Sequence, residues 1–272
     1  MASTRQPTLL IIAGSDNGGG AGLQADIKTA TAFGVYAMTA VTAVTVQDTY
    51  EVHTVHNLPA KLVRDQVSTC LKDIGADAIK IGMLGDHEIA LAVAETLEAE
   101  DNVGIPLVLD PVLSASGGVS LLDSEGKRIL LKRLLPLTTL VTPNLPETER
   151  LVGILPRTEE DFRHAAERFG GFGCPNILFK GGHGDGPVLR DILADANTGA
   201  LTYIEAQRQE SRHTHGTGCT LSTAIASGLA LGWRFEDAVR AAHAFVQGAI
   251  RTAPGLGGGR GPLNHLLRVE PR

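Results

Sequence analysis

Short apolar runs alternate along this chain with longer stretches of helical periodicity, and that alternation constrains the fold more than any other feature. Residues 9–13 read as a strand and 21–33 as a helix; 35–46 with 60–73, then 78–81 with 87–98, repeat the pair. The rhythm continues with a strand at 107–109, a helix over 124–134, a strand at 139–141 and a helix over 159–168. Such a rhythm marks a parallel sheet whose connections cross over its faces. Near 176–180, 188–193 and 201–204 the strands lie closer together, across turn-rich 181–187 and 195–199, and read as antiparallel edge strands on the same sheet. Helices over 217–231 and 235–251 and a Gly-rich tail at 255–262 follow.

Composition agrees with this class. Hydrophobic residues make up 43% of the 272 and aromatics only 4%, with 32 glycines, as suits helices packed closely on a sheet. No linker, composition break or repeat divides the sequence, so residues 1–272 are expected to form one domain. The net charge of -6, without a run of Lys or Arg, argues against nucleic acid or an anionic membrane as partner. No stretch approaches the roughly 20 apolar residues of a membrane span, and residues 1–7 lack the apolar centre of a signal peptide. Cys70, Cys174 and Cys219 fit neither a disulfide framework nor a paired-cysteine metal site. A cytoplasmic location is the expectation.

In open parallel sheets ligands collect at the carboxyl ends of strands. The first strand runs into Gly14-Ser15-Asp16-Asn17-Gly18-Gly19-Gly20-Ala21-Gly22 and then a helix, so backbone amides approach a ligand with no Cβ in the way. No Gly-Lys-Ser/Thr follows, which rules out a P-loop. Gly20 to Ala25 matches the loose dinucleotide pattern G-x-G-x-x-A, and equally a tight turn packing helix on strand. Gln47 and Asp48 close the second strand; an amide there offers a donor and an acceptor to a heteroaromatic edge, or simply begins a turn. Asp110, before Pro111, is placed to hold a cation or phosphate, or to form an Asp-Pro turn. Asn144 and Glu147 read as N-cap and third helical residue of a capping box, and also as groups able to hold water ligands of Mg²⁺.

The most informative segment is His213-Thr214-His215-Gly216-Thr217-Gly218-Cys219-Thr220, which opens a helix. Consecutive amides at Gly216, Thr217 and Gly218 face outward from the helix N-terminus, where the dipole attracts an anion such as a transferring phosphoryl group. Cys219 sits in the first turn, where the same field is expected to lower a thiol pKa and supply a thiolate base. An isolated cysteine is otherwise a small buried hydrophobe.

These segments together with Lys80-Ile81-Gly82-Met83-Leu84-Gly85, Asp110-Pro111-Val112 and Thr142-Pro143-Asn144-Leu145-Pro146-Glu147 resemble the bacterial hydroxymethylpyrimidine/phosphomethylpyrimidine kinases of the ribokinase-like superfamily. The resemblance runs from about residue 8 to Gly261-Pro262-Leu263-Asn264-His265. It implies a three-layer α/β/α sandwich with a mostly parallel central sheet, a homodimer, and ATP with Mg²⁺. The implied reaction is the phosphorylation of an aminopyrimidine to its phosphate and then its diphosphate. At matching positions Gln47 would bind the pyrimidine edge, with Gly14, Asp26, Met83 and Val112 around the ring. Asp110 and Glu147 would organise Mg²⁺, Asn144 and Lys180 the nucleotide, and Gly216 to Gly218 the anion hole, with Cys219 as base. The chain departs from the family at Asn17-Gly18, where Pro-Ser is usual, at Ser116 in place of a common Lys, and at His213 in place of a common Asn.

A pyridoxal kinase is the nearest rival, since some of that group use a similar Gly-Thr-Gly-Cys site. A nicotinamide-dependent oxidoreductase would rest on Gly20 to Ala25 and leave Gly-Thr-Gly-Cys unexplained. A catalytically silent ligand-binding regulator is the third reading.

Overall fold

The first strand, β1 (Thr8–Ser15), buries every side chain except its last. A strand with no solvent face belongs in the middle of a sheet covered on both sides. In the computed structural model, which describes residues 5–99, 104–114, 121–181 and 186–269, β1 lies between β2 (Tyr36–Gln47) and β4 (Ala78–Ile81), parallel to both. The sheet continues through β5 (Leu107–Leu109), β6 (Leu140–Val141) and β7 (Asn176–Phe179), all parallel. Beyond β7 it is extended by antiparallel β8 (Val188–Asp195) and β9 (Leu201–Gln207). At the far edge β3 (Val52–Asn57) pairs antiparallel with β2, so the order is β3-β2-β1-β4-β5-β6-β7-β8-β9.

Side chains alternate across these strands and fill two cores. Leu10 and Ile12, Ile79 and Ile81, Leu107 and Leu109 face one layer with α2 (Ala60–Asp73), α3 (His87–Ala99), α4 (Ser124–Ile129), α5 (Leu145–Val152) and α6 (Glu159–Gly170). Leu9, Ile11, Val108 and Leu178 face the other layer, formed by α1 (Gly22–Ala32), α7 (Thr217–Ala230) and α8 (Phe235–Arg251). The result is the expected three-layer α/β/α arrangement. No helix among the described residues is long and apolar enough to cross a membrane.

Three elements differ from expectation. Strand β7, expected among the antiparallel edge strands, pairs parallel with β6 inside the sheet, and antiparallel pairing begins only with β8. Strand β3, for which the sequence predicts no element, follows the turn Asp48–Glu51; its Val-His-Thr-Val-His-Asn run has no two-residue alternation and leaves both faces partly exposed. The helix expected over 124–134 is α-helical only to Ile129, passes through a π-helical turn at Leu130–Leu134 and ends as a 3-10 turn at Leu135–Leu137. Pro136 lacks the N–H that a continuing α-helix requires.

Candidate active site

The parallel strands all deliver chemistry at their carboxyl ends: Ser15 ending β1, Gln47 ending β2, Met83 after β4, Asp110 after β5, Asn144 after β6 and Lys180 after β7 line one cavity of about 240 Å³. It straddles β1 and β4, where successive strands begin to be added on opposite sides of β1, the place where an open α/β sheet leaves a crevice. The register of β1 against β2 shifts between Ala13 and Ser15, and Gly14 at that irregularity lies against Met83, whose Sδ would be 3.0 Å from a side chain there. Thr42 of β2 donates to the Met83 carbonyl at 2.7 Å and fixes that wall. Val112 also lines the cavity.

Asp110 Oδ1 accepts from Lys180 Nζ at 2.8 Å, and the same ammonium lies 3.8 Å from Glu147 Oε2. The parallel pairing of β6 with β7 extends past both strands to an Asn144–Lys180 bridge, which sets Lys180 beside the start of α5. Burial opposes the Lys180 charge, but Asp110 and Glu147 outweigh it and hold the ammonium above the ordinary lysine pKa. Asn144 and Glu147 form a complete capping box: Glu147 N–H donates to Asn144 Oδ1 at 2.7 Å, and Asn144 N–H to Glu147 Oε2 at 2.8 Å. Glu147 thus caps a helix with the same oxygen that faces Lys180. Burial pushes its carboxyl pKa upward against the pull of Lys180. No group of three or more His, Cys, Asp or Glu able to cage a metal occurs among the described residues. Two hard carboxylates around one cationic position suit Mg²⁺, which keeps several waters and takes its remaining ligands from phosphate.

Helix α7 opens at Gly216, whose φ of +80° is left-handed; a side chain there would sit 1.8 Å from the Gly20 carbonyl oxygen. No side chain caps α7; the Thr217 amide, expected to be free, donates to the Thr214 carbonyl at 3.3 Å, and the turn from Thr214 to Cys219 lines the cavity. A side chain on Gly218 would lie 3.4 Å from Lys180 Nζ and 3.5 Å from Asp110 Oδ2. The turn bearing Thr217 and Cys219 therefore adjoins the charged cluster. For the thiol the structure corrects the sequence argument: burial pushes the Cys219 pKa up to about 11, although Lys80 and the Gly22 amide pull it down. Desolvation of the thiolate, with Asp26 and Asp110 nearby, outweighs Lys80 and the Gly22 amide.

Asp26 does not line the cavity. It is fully buried in α1, where Oδ2 accepts from Lys80 Nζ at 2.7 Å and Oδ1 from Thr223 Oγ1 at 2.7 Å. The cavity wall at that point is Lys80 itself. Burial opposes the Lys80 charge, and Asp26, Cys219 and Asp110 hold its pKa above the ordinary value. A lysine in the middle of the buried strand Ala78-Ile79-Lys80-Ile81 demands a partner, and that was the signal for its role.

Asp16 and His215 also went unassigned in the sequence. Asp16 gathers the glycine loop by accepting the amides of Gly18, Gly20 and Ala21 at 2.8, 3.1 and 2.8 Å. Burial raises its pKa less than His215 and these amides lower it. His215 Nε2 lies 3.0 Å from Asp16 Oδ2 and 2.9 Å from the Gln47 amide. Of the departures, Asn17 accepts the Gln47 amide N–H at 2.7 Å, His213 Nδ1 is buried against Gly261, and Ser116 lies outside the described residues. The Gly-rich tail closes the same side: side chains on Gly258 and Gly259 would stand 2.0 Å from Tyr50 Oη and 2.3 Å from the Thr49 carbonyl oxygen.

Comparison with known proteins adds a second line of observation. Residues 16–264 match a family described as phosphomethylpyrimidine kinase. The chain is 44% identical over 95% of its length, and 94% of the relative's, to a hydroxymethylpyrimidine/phosphomethylpyrimidine kinase of Streptomyces coelicolor. It is 43% identical to the thiamine biosynthesis bifunctional protein ThiED of Geobacter sulfurreducens, covering 97% of this chain but only 53% of that longer protein. Among solved structures, the pyridoxal kinase of Staphylococcus aureus in complex with pyridoxal superposes with a TM-score of 0.85 at 35% identity, over 96% of this chain and 93% of that one.

Proposed function

Because the chain belongs to the phosphomethylpyrimidine kinase family, we propose that its cavity holds 4-amino-5-hydroxymethyl-2-methylpyrimidine beside the γ-phosphate of ATP and phosphorylates it twice. The reaction is phosphoryl transfer in thiamine biosynthesis, first to an alcohol and then to the phosphate so formed. The observation that carries this reading is the meeting of the α7 N-terminus with Asp110 and Lys180 at Gly218, next to Cys219 and across one cavity from Gln47.

Each side chain has a task in that scheme. Gln47 takes the ring edge, while Gly14, Met83 and Val112 leave a slot of ring size. The α7 N-terminus at Gly216, Thr217 and Gly218 receives charge as it develops on the transferring group. Lys180 and Asn144 hold the nucleotide phosphates, and Asp110 and Glu147 supply carboxylates for Mg²⁺. Held there, Mg²⁺ would supply neutralisation of the phosphate charge. Cys219 accepts the hydroxyl proton late, since a loose transition state needs positioning more than a strong base. Asp26 acts from beneath, by keeping Lys80 charged at the cavity wall.

The likeness to pyridoxal kinase favours pyridoxal as a second substrate of the same slot. Purified protein with MgATP and either the hydroxymethylpyrimidine, pyridoxal or adenosine, with mono- and diphosphate products resolved, tests both readings. Diphosphate from the pyrimidine is the expected result, and product from pyridoxal alone overturns it. We also read the protein as a cytoplasmic homodimer; half-exposed Val44 and Val46 on β2 are apolar surface a second copy would cover. Light scattering in solution checks this.

A further inference from the structure

Asp16, His215 and Gln47 form a chain of contacts in which a single nitrogen, His215 Nε2, faces two partners. His215 Nε2 lies 3.0 Å from Asp16 Oδ2 and 2.9 Å from Gln47 Nε2. Asp16 also accepts the amides of Gly18, Gly20 and Ala21. A carboxylate so surrounded by donors stays ionised and can only accept. His215 Nε2 must therefore carry a hydrogen, which leaves it no lone pair for an N–H of Gln47. Turning the Gln47 amide by half a turn puts its oxygen against His215 instead, so that the single Nε2 hydrogen is shared between two acceptors, Asp16 Oδ2 and the Gln47 amide oxygen. The two ends of an amide are nearly the same shape, so nothing else need move.

The surroundings hold this arrangement in place. A side chain on Gly20 would lie 2.6 Å from His215 Cδ2, so the imidazole packs directly on the glycine loop. His215 bridges to Pro262 on its other side. The Gln47 backbone N–H is fixed by Asn17 at 2.7 Å. The backbone is thus anchored at both residues, and the ring is packed on the glycine loop.

We propose that His215, with its tautomer set by Asp16, is a positioning residue for Gln47: it takes the amide oxygen and leaves the amide nitrogen as the group offered to the ring. The site then reads a hydrogen-bond acceptor on the substrate, a ring nitrogen, and not an exocyclic amine. Since aminopyrimidines and pyridoxal both carry a pyridine-type nitrogen, this contact alone admits both rings. The inference rests on the reading of Gln47 as the ring-binding residue.

Two measurements test it. In ¹⁵N-histidine NMR of the wild-type protein at about pH 8, well above the ordinary imidazole pKa, His215 Nε2 should be the protonated nitrogen; a bare Nε2 overturns the proposal. In kinetics, replacing the critical ring nitrogen of the substrate by C–H should raise KM about tenfold to a hundredfold in the wild type, the scale of one lost buried hydrogen bond. His215→Phe should raise KM for the parent substrate with little change in kcat, and should shrink the penalty for the C–H analogue. His215→Gln, whose amide can still donate, should recover part of the loss. Additive effects of His215→Phe and the ring substitution overturn the proposal. Gln47→Leu separates the two levels: if it leaves KM unchanged, the ring-binding reading itself fails, and if it raises KM while His215→Phe does not, only the positioning role fails.

Discussion

Lys80 and Asp26 form an ion pair sealed from solvent, with Nζ 2.7 Å from Oδ2 and both side chains at 0% exposure. Breaking such a pair from one side strands a buried charge, so Asp26→Asn should cost about 3 to 5 kcal/mol of stability. Joint replacement by Met at 80 and Leu at 26 should recover much of that loss without restoring activity, because the ammonium at the cavity wall is gone. Denaturant unfolding and turnover on the same variants check both halves.

The Cys219 thiol, pushed up to about 11 by burial, is protonated at neutral pH and becomes a base only as pH rises. The rate on the alcohol substrate should therefore climb with pH toward that value, and Cys219→Ala should lose the climb together with about 10² to 10⁴ of the rate. The second step should suffer less, since a phosphate with a second pKa of about 6 needs no strong base. Alkylation by iodoacetamide should be slow at pH 7 and accelerate with alkali; rapid alkylation at pH 7 would contradict the raised thiol pKa.

Glu147→Gln keeps an oxygen for the Asn144 amide but removes the charge beside Lys180. The melting temperature should hardly change while turnover falls. Asn144→Ala removes the cap itself and should cost about 0.5 to 2 kcal/mol. Calorimetry and kinetics on the two variants separate cap from charge; equal melting losses in both would refute the assignment.

His265 donates to or accepts from Thr220 at 2.9 Å inside the protein, and burial, with Lys28 nearby, lowers its pKa to about 4 from 6.5. The fold favours the neutral ring, so unfolding takes up a proton below the unfolded value. Its contribution is fully present above about pH 6.5 and is lost as pH falls to 4, an amplitude of about 3 kcal/mol. Unfolding titrations of wild type and His265→Gln should diverge across that window.

The alternation of strands and helices was legible because period and length are local properties. The edge strands β8 and β9 were legible from their short turns. Strand β3 was not, because its pairing depends on β2 across a turn and its own pattern buries neither face fully. The same divide runs through the site. Gln47, Asp110, Asn144, Lys180 and the Gly216–Cys219 turn stand at strand ends or a helix start, positions a sequence marks, and all line the cavity. Asp26 has its partner 54 residues away at Lys80, and His215 meets Asp16 across 199; such pairings exist only in the folded chain. The thiol pKa was misjudged because sequence shows a helix end but not the desolvation around it.

The tail at residues 255–262 has the composition of a flexible spacer, yet Gly257, Gly258, Gly259 and Gly261 press on Thr49, Tyr50 and His213 at distances no side chain could occupy. Its composition is therefore steric in origin. In a saturation mutagenesis screen these positions should tolerate substitution as poorly as the interior of β1, and fusion or truncation within them should disable the enzyme although the segment contains no regular helix or strand.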